Sequence, residues 1–196
     1  SITGGIHPLS VSNQLDMTQV FEFIRSNYLS FCAIGEIGLD YKYGLESSHL
    51  QQEWLHAQME LANQLNLPVI IHSRYADDDM LSIVNQYPNV KKVFHCYATY
   101  LNFYESLIGE HNYVSFTGMI TYSKKGKIIH SLRHIPLDRI MIETDAPYLI
   151  PKGVDSTQNL PEYVGKVAQH IAFIKQLELE EVIKITSNNA VDFFGI

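Results

Sequence analysis

The sequence is sparing with cysteine. Only Cys32 and Cys96 occur in 196 residues, far apart and in no CxxC pair, so a disulfide framework is excluded and a reducing, cytoplasmic setting is expected. Each sits in an apolar run, so both are expected as buried thiols. Long apolar runs are missing too. None approaches about 18 residues, so no membrane span is expected, and Ser1-Ile2-Thr3-Gly4-Gly5 does not read as a signal peptide. No Gly-x-Gly-x-x-Gly follows the first apolar run, which argues against a dinucleotide-binding domain. Basic residues are outnumbered, 14 Lys and Arg against 21 Asp and Glu, giving a net charge of −7. That excludes a generic basic surface for nucleic acid. It leaves a nuclease open, because bound divalent cations can meet phosphate in place of basic side chains.

What is present is an alternation. Short apolar runs at 2–6, 31–37, 67–71, 90–94, 113–116 and 139–142 are separated by amphipathic segments. Helices are expected at 17–28, with Asp16 as N-cap, and at 48–65, where Leu50, Trp54, Leu55, Met59, Ala62 and Leu65 form one face. Further helices are expected at 77–86, 100–108, 124–133, 161–176 and 180–193, with Pro161 at a first helical position. A loop rich in Pro, Gly, Asp and Ser covers about 146–160. With 46% hydrophobic and 18% charged residues the chain reads as one globular domain, 1–196, without linker or repeat. Continuous apolar runs between helices imply a parallel sheet covered by helices, an α/β fold. The spacing of about 30 residues per unit suits a TIM (β/α)8-type barrel.

The strand ends carry the chemistry. Run one leads into His7, run two into Glu36, run three into His72, run four into His95, and run six into Glu143-Thr144-Asp145. Only the fifth, ending at Thr117, delivers no such group. Barrel enzymes build their sites at the C-terminal ends of strands. Histidines and carboxylates converging there are costly unless a cation compensates them. Mixed N and O donors suit Zn²⁺, Mn²⁺ or Mg²⁺. Arg74, two residues after His72, can clamp an anion. Lys124, Lys125 and Lys127 read as a solvated helix start. Tyr41, Tyr43, Tyr97, Tyr100, Tyr122 and Tyr148 follow strands, where they can stack on bases or pack. His49, His56, His111, His130, His134 and His170 read as surface residues.

At these residues the chain resembles the TatD family of metal-dependent hydrolases. The matching segments are Gly5-Ile6-His7-Pro8, Gly35-Glu36-Ile37-Gly38-Leu39-Asp40 and Leu67-Pro68-Val69-Ile70-Ile71-His72-Ser73-Arg74, then Phe94-His95-Cys96-Tyr97, Tyr113-Val114-Ser115-Phe116-Thr117-Gly118 and Glu143-Thr144-Asp145-Ala146-Pro147-Tyr148. They run in family order across essentially the whole chain. The resemblance implies a TIM-barrel hydrolase that cuts phosphodiester bonds with metal-activated water, a deoxyribonuclease trimming DNA from the 3′ end. It implies one or two divalent metal ions per chain, Mg²⁺ first and Mn²⁺ or Zn²⁺ as alternatives. Glu36, His72, His95 and Asp145 are the implied metal ligands, with His72 and His95 on one metal and Asp145 on the other. Glu36 and Asp145 are the implied catalytic residues, Asp145 taking a proton from the attacking water. Arg74 and His7 are implied contacts to the phosphate of DNA or another phosphodiester.

The chain departs from the family pattern in three places. The family's opening His-x-His is absent, and six strands rather than eight are expected, as if the first two βα units were missing. That weakens the metal partnered by Asp145. Ala98-Thr99 stands where Ser-Gly is common, and Asn159-Leu160-Pro161 where Asn-Glu-Pro is common. Two alternatives therefore stand beside the nuclease: a metal hydrolase of a small ester, amide or phosphodiester, and a catalytically impaired remnant. Oligomeric state is not legible.

Overall fold

A computed structural model describes residues 2–122 and 124–196. It contains two compact units. The first comprises Ser1–Phe94, Ser106–Asn112 and Phe193–Ile196, the second His95–Glu105 and Tyr113–Asp192.

The first unit holds β1 (Ile2–Gly4), β2 (Phe31–Asp40), β3 (Val69–Arg74) and β4 (Lys92–Phe94), with α1 (Met17–Ser26), α2 (Ser48–Leu65) and α3 (Asp77–Val84) between them. Each strand pairs in parallel with the next. Asp16 caps α1 as expected, its carboxylate accepting from Thr18 N and Gln19 N. The bounds of α2 are those the periodicity implies. Trp54 and Leu55 of α2, Ile34, Ile37 and Leu39 of β2, and Val69 and Ile71 of β3 are buried together as core residues of this unit. Two glutamines on α2, seven residues apart and so on one helix face, are buried as well. Gln58 bonds Ile6 N and Ile6 O, the residue before His7. Gln51 bonds Asp40 N, Asp40 O and Gly44 O. One helix face thus fixes the backbone on both sides of the candidate site.

The second unit holds β6 (Ile140–Ile142) and all but the first residue of β5 (Asn112–Phe116), and pairs them in parallel through Val114, Ser115 and Phe116. It also contains α4 (Leu101–Glu105), α5 (Lys127–His134), α6 (Val164–Lys175) and most of α7 (Leu179–Phe194). Pro161 opens a short 3-10 turn ahead of α6. Val114, Phe116, Ile140, Leu132, Ile171 and Val182 are fully buried here. Asn189 of α7 donates to Leu137 O and Ile140 O, tying the helix to the start of β6.

Six strands thus appear among the described residues, in the expected places. Some details differ. β2 and β3 run past Glu36 and His72 to Asp40 and Arg74, because the polar residues there remain in the ladder: Gly38 pairs with His72 and Asp40 with Arg74. Gly38, at φ 149°, is required at that crossing, since a Cβ would lie 1.9 Å from the His72 carbonyl oxygen. The 100–108 helix shortens to α4, and the basic stretch becomes helical only at Lys127. Cys32 and Cys96 are half-exposed rather than buried, and neither is in a disulfide. Cys32 sits at a register shift near the start of β2, its thiol against Ile2 O, and Cys96, past the end of β4, is in a left-handed conformation. His56 and His170 are half-buried rather than on the surface, against Tyr87 and Phe173 respectively. Among the described residues no helix is long and apolar enough to cross a membrane.

Candidate metal centre

In the first unit, donor atoms of His7, Glu36 and His72 all lie within 4.8 Å of one another. His7 is placed by the turn Pro8–Ser10, which it caps. Glu36 lies within a register shift between Ile34 and Ile37, an irregularity of the kind that re-aims side chains near sites. His72 stands within β3. Glu36 Oε2 is 3.6 Å from His7 Nε2 and 4.0 Å from His72 Nδ1, beyond the roughly 2.7–3.2 Å of an N–H···O bond.

The two imidazoles are held in different ways. His72 Nε2 is 3.1 Å from Asp40 Oδ2. Asp40 is 1% exposed, and its Oδ1 accepts from Lys42 N and Tyr43 N. A carboxylate on Nε2 takes the proton there and leaves the lone pair on Nδ1, the atom that faces Glu36. His72 is therefore set up as a ligand. In His7, Nδ1 accepts from Leu9 N at 3.2 Å, which puts the proton of the neutral ring on Nε2. In that tautomer His7 is a donor toward Glu36 or a substrate oxygen. The donor set fits a divalent cation: one carboxylate oxygen and one oriented imidazole nitrogen, with a buried carboxylate behind the imidazole.

The second unit brings together His95, Glu143 and Asp145, again with donor atoms within 4.8 Å of one another. His95 follows β4 directly, and Glu143 follows β6. Glu143 Oε1 is 3.7 Å from His95 Nδ1 and accepts from Cys96 N at 2.8 Å and from the Ser115 hydroxyl. Burial raises the Glu143 carboxyl, but the His95 ring, the Ser115 hydroxyl and the Cys96 N–H together outweigh it and hold its pKa below the ordinary value. Asp145 has φ 58°. Its loop is clamped by Asn159, which is 2% exposed and donates to Thr144 O, Tyr148 O and Leu149 O. A carboxylate pair beside an imidazole is likewise a set a divalent cation accepts.

Of the residues singled out in the sequence, the structure joins Glu36 and His72 with His7, and His95 with Asp145. Arg74 is exposed, its guanidinium 4.9 Å from the ring centre of Tyr43. Two residues were missed. Glu143 had been seen only as part of a strand-end triplet, although the rule that picked Asp145 applied to it equally. Asp40 ends the Gly35-Glu36-Ile37-Gly38-Leu39-Asp40 segment; an acidic residue in an apolar strand, two residues on from a glycine, is the signal that points to it. The six tyrosines separate: Tyr97 is buried, Tyr41 bonds Asp79, and Tyr43, Tyr100, Tyr122 and Tyr148 are exposed.

Residues 1–195 match the family described as TatD related DNase. The chain belongs to the TatD-related DNase family. It is 34% identical over 197 residues to the uncharacterized metal-dependent hydrolase YabD of Bacillus subtilis (strain 168), covering 98% of this chain and 76% of that protein. It is 30% identical over 201 residues to the 3′-5′ ssDNA/RNA exonuclease TatD of Erwinia tasmaniensis, covering 99% of this chain and 78% of that one. Among solved structures, the TatD homologue YjjV of Escherichia coli K12 matches with a TM-score of 0.89 at 26% identity, over 99% of this chain and 76% of that chain. The α/β expectation holds, and the chain is a TatD-family metal-dependent hydrolase with the fold of that barrel class.

Proposed function

We propose that this TatD-family protein is a divalent-metal phosphodiesterase that trims nucleic acid, DNA above all, from the 3′ end. The observation that carries the reading is His72, set between Glu36 and the buried Asp40 so that Nε2 meets the Asp40 carboxylate and Nδ1 faces Glu36. Glu36 and His72 would hold one cation; His95 and Asp145, with Glu143, supply the donors for a second. We assign magnesium from the family likeness, with manganese and zinc as the competing ions that imidazole donors also suit. When bound, such an ion polarises a phosphoryl oxygen and lowers the pKa of nearby water. The chain's own residues supply the rest. Asp145 accepts the proton of the attacking water. His7, with its Nε2 proton, donates to a non-bridging oxygen of the scissile phosphate, and Arg74 to the phosphate backbone of the strand. Glu36 is the catalytic carboxylate shared with the ligand set. The two thiols outside any disulfide suit a cytoplasmic setting.

The test is release of nucleotides from end-labelled single-stranded DNA. Release should stop with EDTA and return with Mg²⁺ or Mn²⁺. Glu36→Ala and Asp145→Asn should each abolish it. Full activity in both variants, or a preference for carboxylic esters over phosphodiesters in a substrate panel, overturns the reading.

A further inference from the structure

We propose that Lys42, Tyr43 and Arg74 form a second phosphate subsite beside the Glu36–His72 group, so that the preferred substrate is a nucleic-acid strand with a neighbouring phosphate rather than an isolated diester. The inference rests on the phosphodiesterase reading above and names the substrate class of that site.

Three observations carry it. First, the Lys42 ammonium and the Arg74 guanidinium both lie over the Tyr43 ring, 5.1 and 4.9 Å from its centre, and the ring is 58% exposed. The ring attracts both cations and so gathers beside one side chain two positive charges whose mutual repulsion an anion would relieve. Second, among the described residues no carboxylate pairs with either cation, in a chain of net charge −7 where acidic partners abound. Third, the cluster is tied to the candidate centre. One oxygen of Asp40 accepts from Lys42 N and Tyr43 N while the other meets His72 Nε2. Arg74 stands two residues beyond His72 on β3, so both side chains leave the same face, about 7 Å apart along the strand. That is the scale of one step between neighbouring phosphates of a single strand. Guanidinium and ammonium groups both suit phosphate oxygens, and Tyr43 acts as the positioning residue that keeps this pair, the fork, beside the strand end.

The test has a binding arm and a turnover arm. In EDTA, fluorescence anisotropy of a labelled oligothymidylate across a salt series should show a slope of log affinity against log salt. Lys42→Met should flatten that slope by about 0.7, as should Arg74→Met. Tyr43→Leu should weaken binding several-fold, and Tyr43→Phe, which keeps the ring face, should restore it. In the turnover arm, with metal, the ratio of kcat/KM for the oligothymidylate to that for bis(4-nitrophenyl) phosphate should fall about five- to tenfold in Lys42→Met and Tyr43→Leu, chiefly through KM for the strand. Unchanged salt slopes, or equal losses on both substrates, overturn the subsite. A wild-type protein that cleaves neither substrate overturns the phosphodiesterase reading instead, and the salt slopes still decide whether the fork binds phosphate.

Discussion

Asp40 Oδ2 stands 3.1 Å from Nε2 of His72, and the same carboxylate receives two backbone N–H groups from the loop that follows it. It fixes both the tautomer and the ring plane of the histidine opposite Glu36. A carboxylate behind a metal-binding histidine typically contributes about 10–100-fold in metal affinity. Asp40→Asn should therefore weaken Mn²⁺ binding by about that factor, measured by isothermal titration calorimetry. A dissociation constant equal to that of the wild type would show that His72 does not need this partner.

Glu143 accepts from Cys96 N and Ser115 Oγ with one oxygen. Removing a half-buried acceptor takes a partner from both donors, at about 1–3 kcal/mol each. Glu143→Ala should lower stability in urea by about 2–3 kcal/mol, and Glu143→Gln, which keeps an acceptor oxygen, by less than half of that. Equal losses in the two variants would show that charge, not the hydrogen bonds, holds this group together.

The strands and the long helices were legible because their apolar residues repeat with the periods of the structures they form. The 48–65 helix is the clearest case, and all six strands fall where apolar runs end in polar residues. The candidate ligands were legible for the same reason: His72 and His95 are abrupt polar interruptions. What stayed hidden depends on partners distant in sequence. Gln51 and Gln58 look like ordinary polar positions on α2, yet each closes hydrogen bonds to backbone across 7 to 52 residues. Asp40 looked like the tail of a motif until the register placed it beside His72. Lys92 sat unremarked inside an apolar run, since nothing local says that a lysine will be buried.

Asn159 makes a stability test of the loop that carries Asp145. Its Nδ2 donates to three carbonyls and its N to Pro147 O, so the side chain substitutes for secondary structure where the chain has none. Asn159→Leu should cost about 1–3 kcal/mol, from half-buried carbonyls left without this donor. Amide exchange over residues 144–149 should speed up more than exchange in α2. Uniform acceleration through the chain would mean that Asn159 stabilises the whole fold rather than positioning Asp145.

Lys92 gives a pH dependence with a definite sign. It is 1% exposed, and its ammonium donates to Tyr87 O at 2.7 Å and Val90 O at 2.9 Å. Burial pushes its pKa down from 10.5 to about 8. Between those values the unfolded chain binds more protons than the folded one, so stability rises with pH across the window. Below about 8 both states are protonated and the cost of the buried charge is fully present. Above 10 an opposite trend enters, because burial, with Asp79 beside the hydroxyl, raises the Tyr41 phenol to about 12 and stability then falls as pH rises. Lys175 is lowered by burial too, so the Lys92 share is read as a difference between proteins. Between about pH 7.5 and 9.5, wild-type stability in urea should gain on the order of 1–2 kcal/mol relative to Lys92→Met. A difference that stays flat across that range would mean that the two carbonyls compensate the buried ammonium in full.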